Sequence, residues 1–181
     1  FLDPEYTTRE IVAPLVAALG ETLGAVLFQF PPQDSRTWGG SETCGRDAIA
    51  ERLGRFFDAL PSDVPYSVEI RTAQWLTPEY VDALYQSGVS HCLSVHPRMP
   101  TLQAQAALAA KTFSRGIVCR WNLSGDQAYE AARTRYSPFN ALVDEDPATR
   151  NWIARMALRG GELGYPVHVI VNNKAEGSAP L

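Results

Sequence analysis

The sequence has no long apolar run, although hydrophobic residues make up 45% of its 181 residues. A transmembrane helix needs about 20 predominantly apolar residues, so we expect no membrane-spanning helix and no membrane partner. The first residues, FLDPEYTTRE, also lack the basic start and the apolar stretch of a signal peptide. These absences predict a globular protein of the cytoplasm.

Cysteine is scarce, and the motifs of several enzyme classes are missing. Cys44, Cys92 and Cys119 form no CxxC pair, which disfavours a disulfide framework or a structural zinc site. HExxH, GxSxG, GxGxxG and P-loop sequences are also absent. The sequence therefore identifies no set of metal ligands and leaves the cofactor unknown.

Positive charge is in the minority, with 16 Lys and Arg residues against 20 Asp and Glu residues and a net charge of −4. Nucleic-acid binding draws on Lys and Arg that displace counterions from phosphates. The charge balance disfavours a broad nucleic-acid surface and leaves a local basic patch open.

What the sequence does contain is a repeated alternation of strand and helix patterns. Short apolar runs predict strands at 23–30, 66–71, 91–96, 116–122 and 166–173. Apolar periodicity and cap residues predict helices at 7–20, 46–60, 77–88, 101–111 and 146–161, with a short one near 126–135. Thr7 and Glu10 have the spacing of a capping box, and the Gly160–Gly161 pair is expected at a helix end.

This alternation predicts one α/β domain, 1–181, with parallel strands adjacent in chain order. Five such units form either an open sheet or part of a barrel of eight units that is truncated at both ends. Strands 24–30 and 167–172 would then be edges with unpaired backbone. We expect the chain expressed alone to be insoluble or molten.

Polar residues collect where the predicted strands end. In parallel α/β folds, ligands bind beyond the carboxyl ends of the strands, so these residues predict a polar pocket there. They are Gln29, Glu69, Arg71, Ser94, His96, Arg120, Asn122, Asn172 and Asn173.

The chemistry of this pocket has several readings. Glu69 is two residues from Arg71, so their side chains share a face and Glu69 is either a base, an anchor or half of a structural ion pair. Arg71 and Arg120 suit a phosphate or carboxylate. His96 is either catalytic or structural. Three loop tryptophans, Trp38, Trp75 and Trp121, either stack on a ligand or fill space.

The C-terminal segment VNNKAEGSAP offers further binding groups. Asn172 and Asn173 alternate across a strand, so one is expected to face the pocket while the other supports the turn. Lys174 adds a positive charge, and the backbone N–H groups of Gly177 and Ser178 precede an expected helix and could face an anion.

Four segments resemble one protein family. LGAVLFQFPP, YSVEIRTAQWLTPEY, VCRWNLSGDQAYEAARTRYSPFN and VIVNNKAEGSAPL are similar to the YecE-like family, domain of unknown function number 72. The resemblance covers residues 23–181 and implies a closed TIM barrel of which this chain supplies strands four to eight. Ser94-Val95-His96-Pro97 replaces the family's Ala-Asp-Ser-Pro type of ending, so no role can rest on an Asp there.

The resemblance implies no reaction, and three functions stay open. The first is an enzyme, such as a hydrolase, lyase or isomerase, acting on a small anionic or polyhydroxyl substrate. The alternatives are a nucleic-acid-processing enzyme or binder, and a non-catalytic ligand-binding or scaffold protein, whose pocket carboxylate and amides would be fully paired with one another. The predicted catalytic residues are Glu69 and His96, and the predicted substrate-binding residues are Gln29, Arg71, Trp75, Arg120, Asn122, Asn172, Asn173 and Lys174.

Overall fold

The computed structural model describes residues 2–32, 44–123 and 129–181. Trp38, one of the predicted stacking residues, lies outside these ranges. Among the described residues, no helix is both long and apolar enough to cross a bilayer.

In the described part of the chain, six parallel strands form two sheets of three strands each. All five predicted strands are present, and the third is divided at Cys92. The strands are β1 (Val26–Phe30), β2 (Tyr66–Ile70), β3 (Ser90–His91), β4 (Leu93–Val95), β5 (Ile117–Trp121) and β6 (Val167–Val171). The sheet orders are β1-β2-β3 and β4-β5-β6, and every pairing is parallel, as the alternation predicted.

The expectation of a TIM barrel, closed or in part, was wrong. Closure requires the last strand of a barrel to pair with the first. Here β1 pairs with β2 and β6 pairs with β5, and the described residues form two separate sheets that do not close. The division occurs at Cys92, where the chain stops pairing with β2 and begins pairing with β5.

Helices lie between the strands, as the apolar periodicity predicted. They are α1 (Pro4–Thr7), α2 (Ala13–Leu19), α3 (Cys44–Asp58), α4 (Pro78–Gln86), α5 (Leu102–Ala109), α6 (Tyr129–Tyr136) and α7 (Pro147–Glu162). A π-helical segment, Thr8–Val12, joins α1 to α2, and a 3₁₀ segment, Ala110–Arg115, follows α5.

Side-chain caps explain where several helices begin. The Thr77 hydroxyl accepts the Tyr80 N–H at the start of α4, and the Asp146 carboxylate accepts the Thr149 N–H at the start of α7. The first helix begins earlier than predicted because Asp3, and not Thr7, caps it. The Gly160–Gly161 pair also lies inside α7 and does not end it.

One apolar core joins the two sheets. Val26 and Val68 of the first sheet and Leu93 and Cys119 of the second belong to the same cluster of buried side chains. Residues 66–70 of β2 are buried along the whole strand, so the two polar residues of its YSVEI sequence, Ser67 and Glu69, are buried as well.

His91 is an ionisable side chain in this core. It is fully buried, and its Nδ1 lies 3.0 Å from the Tyr80 hydroxyl. Burial lowers the pKa of His91 to about 4, because the interior disfavours the charged imidazolium, and this effect outweighs the opposing charge of Glu69. The folded protein therefore holds His91 neutral.

We predict that His91 makes folding sensitive to acid. Between pH 6.5 and 4 the unfolded chain takes up a proton that the folded chain excludes, so stability is full above this window and falls as the pH is lowered through it. From pH 7 to 5 this loss is on the order of 2 kcal/mol. Denaturant unfolding of the wild type and of His91→Gln at both pH values measures it. Equal pH dependence in the two proteins would contradict the prediction.

The strand β6 exposes apolar side chains at a sheet edge. Val169, Ile170 and Val171 are 39%, 45% and 37% exposed, and within the described residues β6 pairs with β5 alone. An exposed, apolar edge strand is a template for pairing with other chains.

We predict that Ile170→Lys lowers self-association, because an edge charge opposes strand pairing. Light scattering and sedimentation velocity at increasing protein concentration measure the effect. Leu158→Lys is the matched control, since Leu158 is 70% exposed on α7 and lies in no strand. An equal effect of the two lysines would show that net charge, and not the edge, controls association.

Candidate functional site

Strand register brings the predicted polar residues together at the carboxyl ends of four strands. Gln29 of β1 is the pairing partner of Glu69 of β2, and Ser94 of β4 is the partner of Arg120 of β5. Side chains at paired positions of parallel strands point to the same face of a sheet. Arg71 follows β2 directly, so its side chain returns to the face that Glu69 occupies.

The Glu69 carboxylate is the centre of this group. Its side chain is fully buried, and it forms ion pairs with both Arg71 and Arg120. Arg71 Nε donates to Glu69 Oε1 at 3.0 Å, and Arg120 Nη1 donates to Oε2. Because the two arginines use different oxygens, one carboxylate orients two guanidinium groups.

Two neutral side chains complete the hydrogen bonding of Glu69. The Ser94 hydroxyl and the Asn122 amide donate to Oε1 at 3.3 and 3.2 Å. The same Asn122 amide nitrogen lies 3.1 Å from the Ser94 hydroxyl oxygen. A buried carboxylate is costly unless its oxygens are satisfied, and here two cations and two neutral donors surround it.

Gln29 joins the two arginines from the other side. Its amide oxygen accepts from Arg71 Nη2 at 3.3 Å and from Arg120 Nη1 at 3.1 Å. Each arginine side chain is 22% exposed, so both guanidinium groups reach the surface at the strand ends. We call Gln29, Glu69, Arg71, Arg120 and Asn122, together with Ser94, the arginine cluster.

His96 lies next to this cluster, just after β4, and is half-buried. Burial and the positive charge of Arg71 lower its pKa, so the imidazole is neutral near pH 7. Its Nδ1 accepts the N–H of Arg98 at 3.1 Å. The proton of the neutral ring therefore resides on Nε2, which is left as a hydrogen-bond donor.

This geometry suits anion binding better than proton abstraction by Glu69. Both Glu69 oxygens already accept hydrogen bonds, and each faces a guanidinium group. A general base needs a lone pair within reach of the substrate proton. Among the described residues, no group of three or more His, Cys, Asp or Glu side chains is placed to hold a metal ion.

The tryptophans of the pocket prediction are packing residues where the structure describes them. Trp75 and Trp121 are 2% and 3% exposed and belong to the apolar core. Trp75 ends a 3₁₀ turn, Ala73–Trp75, that follows β2, and its side chain packs in the core. Their indole rings are thus inaccessible for stacking on a ligand.

The C-terminal residues support a loop. The side-chain oxygens of Asn172 and Asn173 accept the backbone N–H groups of Lys174 and Ala179, both at 2.9 Å. Asn172 and Asn173 thereby stabilise the turn after β6, while Lys174 lies over the Phe139 ring at 5.8 Å.

Glu176, to which the sequence alone assigned no role, anchors this loop to α7. It is buried, and its carboxylate accepts from the Asp146 N–H and from Arg150 Nε at 2.8 Å. Its carbonyl oxygen accepts the N–H groups of Val143 and Asp144. The only sequence signal was a carboxylate within a run of small residues.

Trp152 of α7 packs against the apolar core and also lines a cavity beside the cluster. Val95 and His96 form the near wall of this cavity, directly after Ser94. The helical spacing of Trp152 on α7 indicates a position on the core face. Only the tertiary structure shows that this side chain also lines a cavity.

We predict that Glu69→Gln destabilises the fold by on the order of 3 kcal/mol, because it leaves two guanidinium groups without their buried counter-charge. The amide nitrogen of Gln would also place its N–H donors against the N–H donors of the arginines. Urea unfolding measures the loss. The matched control is Glu130→Gln on α6, where the side chain is 76% exposed and its ion pair is 3.9 Å long. Equal stability of the two variants would contradict the central role of Glu69.

Comparisons with known proteins place the chain in a family. Two crystal structures of a DUF72 family protein, EF0366, from Enterococcus faecalis V583 share its fold. The first is 18% identical, with a TM-score of 0.61 over 99% of this chain and 66% of that one. The second is 20% identical, with a TM-score of 0.53 over 94% and 59%.

The chain thus spans less than two thirds of the length of these solved relatives. A comparison with curated proteins gives no significant match. The profile of the family described as "Protein of unknown function DUF72" matches residues 3–181, which confirms the resemblance seen in the sequence. The chain belongs to the DUF72 family.

Proposed function

We propose that this protein binds a small molecule through an oxyanion group, a carboxylate or a phosphate, held by Arg71 and Arg120. The observation that carries the proposal is the pairing of two guanidinium groups with a single buried carboxylate. Two positive charges against one negative charge leave the arginine cluster with a net charge of +1, in a protein whose net charge is −4.

The unused donors of the two arginines support this function. A guanidinium group has five N–H donors in a planar fork. Within the described residues, Arg71 donates through Nε and Nη2, and Arg120 donates through Nη1. Arg71 Nη1 and the Nε and Nη2 groups of Arg120 donate to no other residue of the described ranges, so they can donate to a carboxylate or phosphate, for which arginine geometry is well suited.

The position of the cluster supports the same function. In open parallel α/β sheets, ligands bind outside the carboxyl ends of the strands. The cluster lies at these ends of β1, β2, β4 and β5. Because Glu69 and Gln29 hold both guanidinium groups in place, little side-chain entropy is lost when an anion binds.

The full pairing of Glu69 favours a binding role, which the sequence left open as the non-catalytic alternative. An enzyme acting on the bound anion is the second candidate, and His96 favours it. His96 follows Ser94 of the cluster by two residues, and its Nδ1 accepts the backbone N–H of Arg98, so the proton of its neutral ring is on Nε2. In such an enzyme His96 would polarise or protonate the substrate, while Glu69 would position the arginines.

We predict that inorganic phosphate binds the wild type and raises its melting temperature. At a hundred times its Kd, a ligand adds about 2.7 kcal/mol to stability. Arg120→Ala should weaken phosphate binding at least about tenfold, since a charged hydrogen bond contributes about 1.5–3 kcal/mol. Arg120→Lys keeps the positive charge but loses the planar fork of N–H donors, so its Kd for phosphate should lie between those of the wild type and Arg120→Ala. Isothermal titration calorimetry measures each Kd.

Arg159→Ala is the control for this series, because its side chain is 69% exposed on α7, where it pairs with Glu162. Phosphate should bind this variant as tightly as the wild type. Equal Kd values for Arg120→Ala and Arg159→Ala would refute the assignment of the anion site to the arginine cluster.

A further inference from the structure

A cavity of about 320 Å³ lies beside the arginine cluster, between the end of β4 and the first turns of α5 and α7. Its apolar wall includes Trp152, Met99, Pro97 and Leu123, and His96 and Thr149 contribute polar groups. A cavity of about 150 Å³ is enough to hold a benzene molecule. This cavity therefore has room for a substituted ring.

The cavity and the cluster share a wall. Val95 and His96 line the cavity and follow Ser94, which donates to Glu69. The Val95 carbonyl accepts the N–H groups of Asn122 and Leu123, so a residue of the cluster and a residue of the cavity are fixed to the same oxygen. Arg120 is the pairing partner of Ser94, which directly precedes this wall, so the cluster lies next to the cavity.

Buried hydrogen bonds hold the wall in place before any ligand binds. Gln105 of α5 is fully buried, and its amide nitrogen donates to the carbonyls of Ser94 and Pro100 at 2.8 and 2.6 Å. Its oxygen accepts the Ser94 N–H at 3.0 Å. On the other side, the contacts of Glu176 with Asp146 and Arg150 fix the first turns of α7.

We infer that the ligand is an oxyanion joined to a planar ring, with the anion on Arg71 and Arg120 and the ring in the cavity against Trp152. This inference rests on the proposed function and specifies the class of ligand. Aromatic side chains bind planar groups through stacking and edge contacts as well as through buried area. An anion without an apolar part would leave the Trp152 wall unused.

Three phosphate probes test the inference on the full chain. Isothermal titration calorimetry compares phenyl phosphate, methyl phosphate and inorganic phosphate at one ionic strength. We expect phenyl phosphate to bind about tenfold more tightly than methyl phosphate, because only its ring reaches the Trp152 wall. Methyl phosphate controls for the ester and the charge.

Variants of the cavity test whether the preference for phenyl phosphate over methyl phosphate depends on Trp152. Trp152→Leu should bring the Kd of phenyl phosphate close to that of methyl phosphate, while Trp152→Phe should retain most of the difference. Leu158→Ala is the control on the same helix, because Leu158 is 70% exposed. Met99→Trp keeps Trp152 but fills the cavity, so it should also abolish the preference for phenyl phosphate. This variant tests the cavity even if Trp152→Leu does not fold.

The outcomes separate this inference from the proposed function. If phenyl and methyl phosphate bind equally, and both lose affinity in Arg120→Ala, the ring site is refuted and the anion site stands. If none of the three probes binds the wild type, both proposals are refuted. A phenyl preference that Trp152→Leu and Met99→Trp leave unchanged would also refute the assignment to this cavity.

Discussion

The arrangement of this protein depends on the buried carboxylate of Glu69. No strand pairing among the described residues joins the two sheets, since the chain changes partner from β2 to β5 at Cys92. Glu69 belongs to the first sheet, and it accepts from Ser94 and Arg120 of the second. The carboxylate thus connects the polar residues of the two sheets, while their apolar side chains meet in one core.

The ion pairs of Glu69 with Arg71 and Arg120 contribute more to the binding site than to stability. A buried ion pair adds little net stability, because desolvation offsets much of the Coulomb attraction. Its benefit here is orientation: one carboxylate and the Gln29 oxygen hold two guanidinium groups at the surface. A rigid pair of cations binds an anion with less entropic loss than two mobile side chains would.

Hydrogen bonds of buried side chains also fix the two segments next to the cluster, the connection after β4 and the start of α7. Gln105 fixes the connection after β4, and Glu176 fixes the start of α7, so the cavity beside the cluster has rigid walls on two sides. Gly177 has a positive φ, and a Cβ there would lie 2.5 Å from the Ala141 carbonyl oxygen, so the absence of a side chain allows the close approach of this loop. Backbone geometry and side-chain pairing therefore act together to shape the site.

The sequence by itself determined the parallel strands, most of the helices and the gathering of polar residues at the strand ends. These features follow from local periodicity, caps and the geometry of βα units. It also indicated Gln29, Glu69, Arg71, Arg120 and Asn122, because each falls at the end of a predicted strand and ligands of parallel α/β folds bind beyond these ends. Only the tertiary structure decided that the strands form two open sheets, since strand pairing depends on contacts distant in the chain. It also decided that Trp75 is buried, that Asn172 and Asn173 cap a turn, and that Trp152 lines a cavity, because packing between elements, and not local pattern, sets the exposure and partners of each side chain.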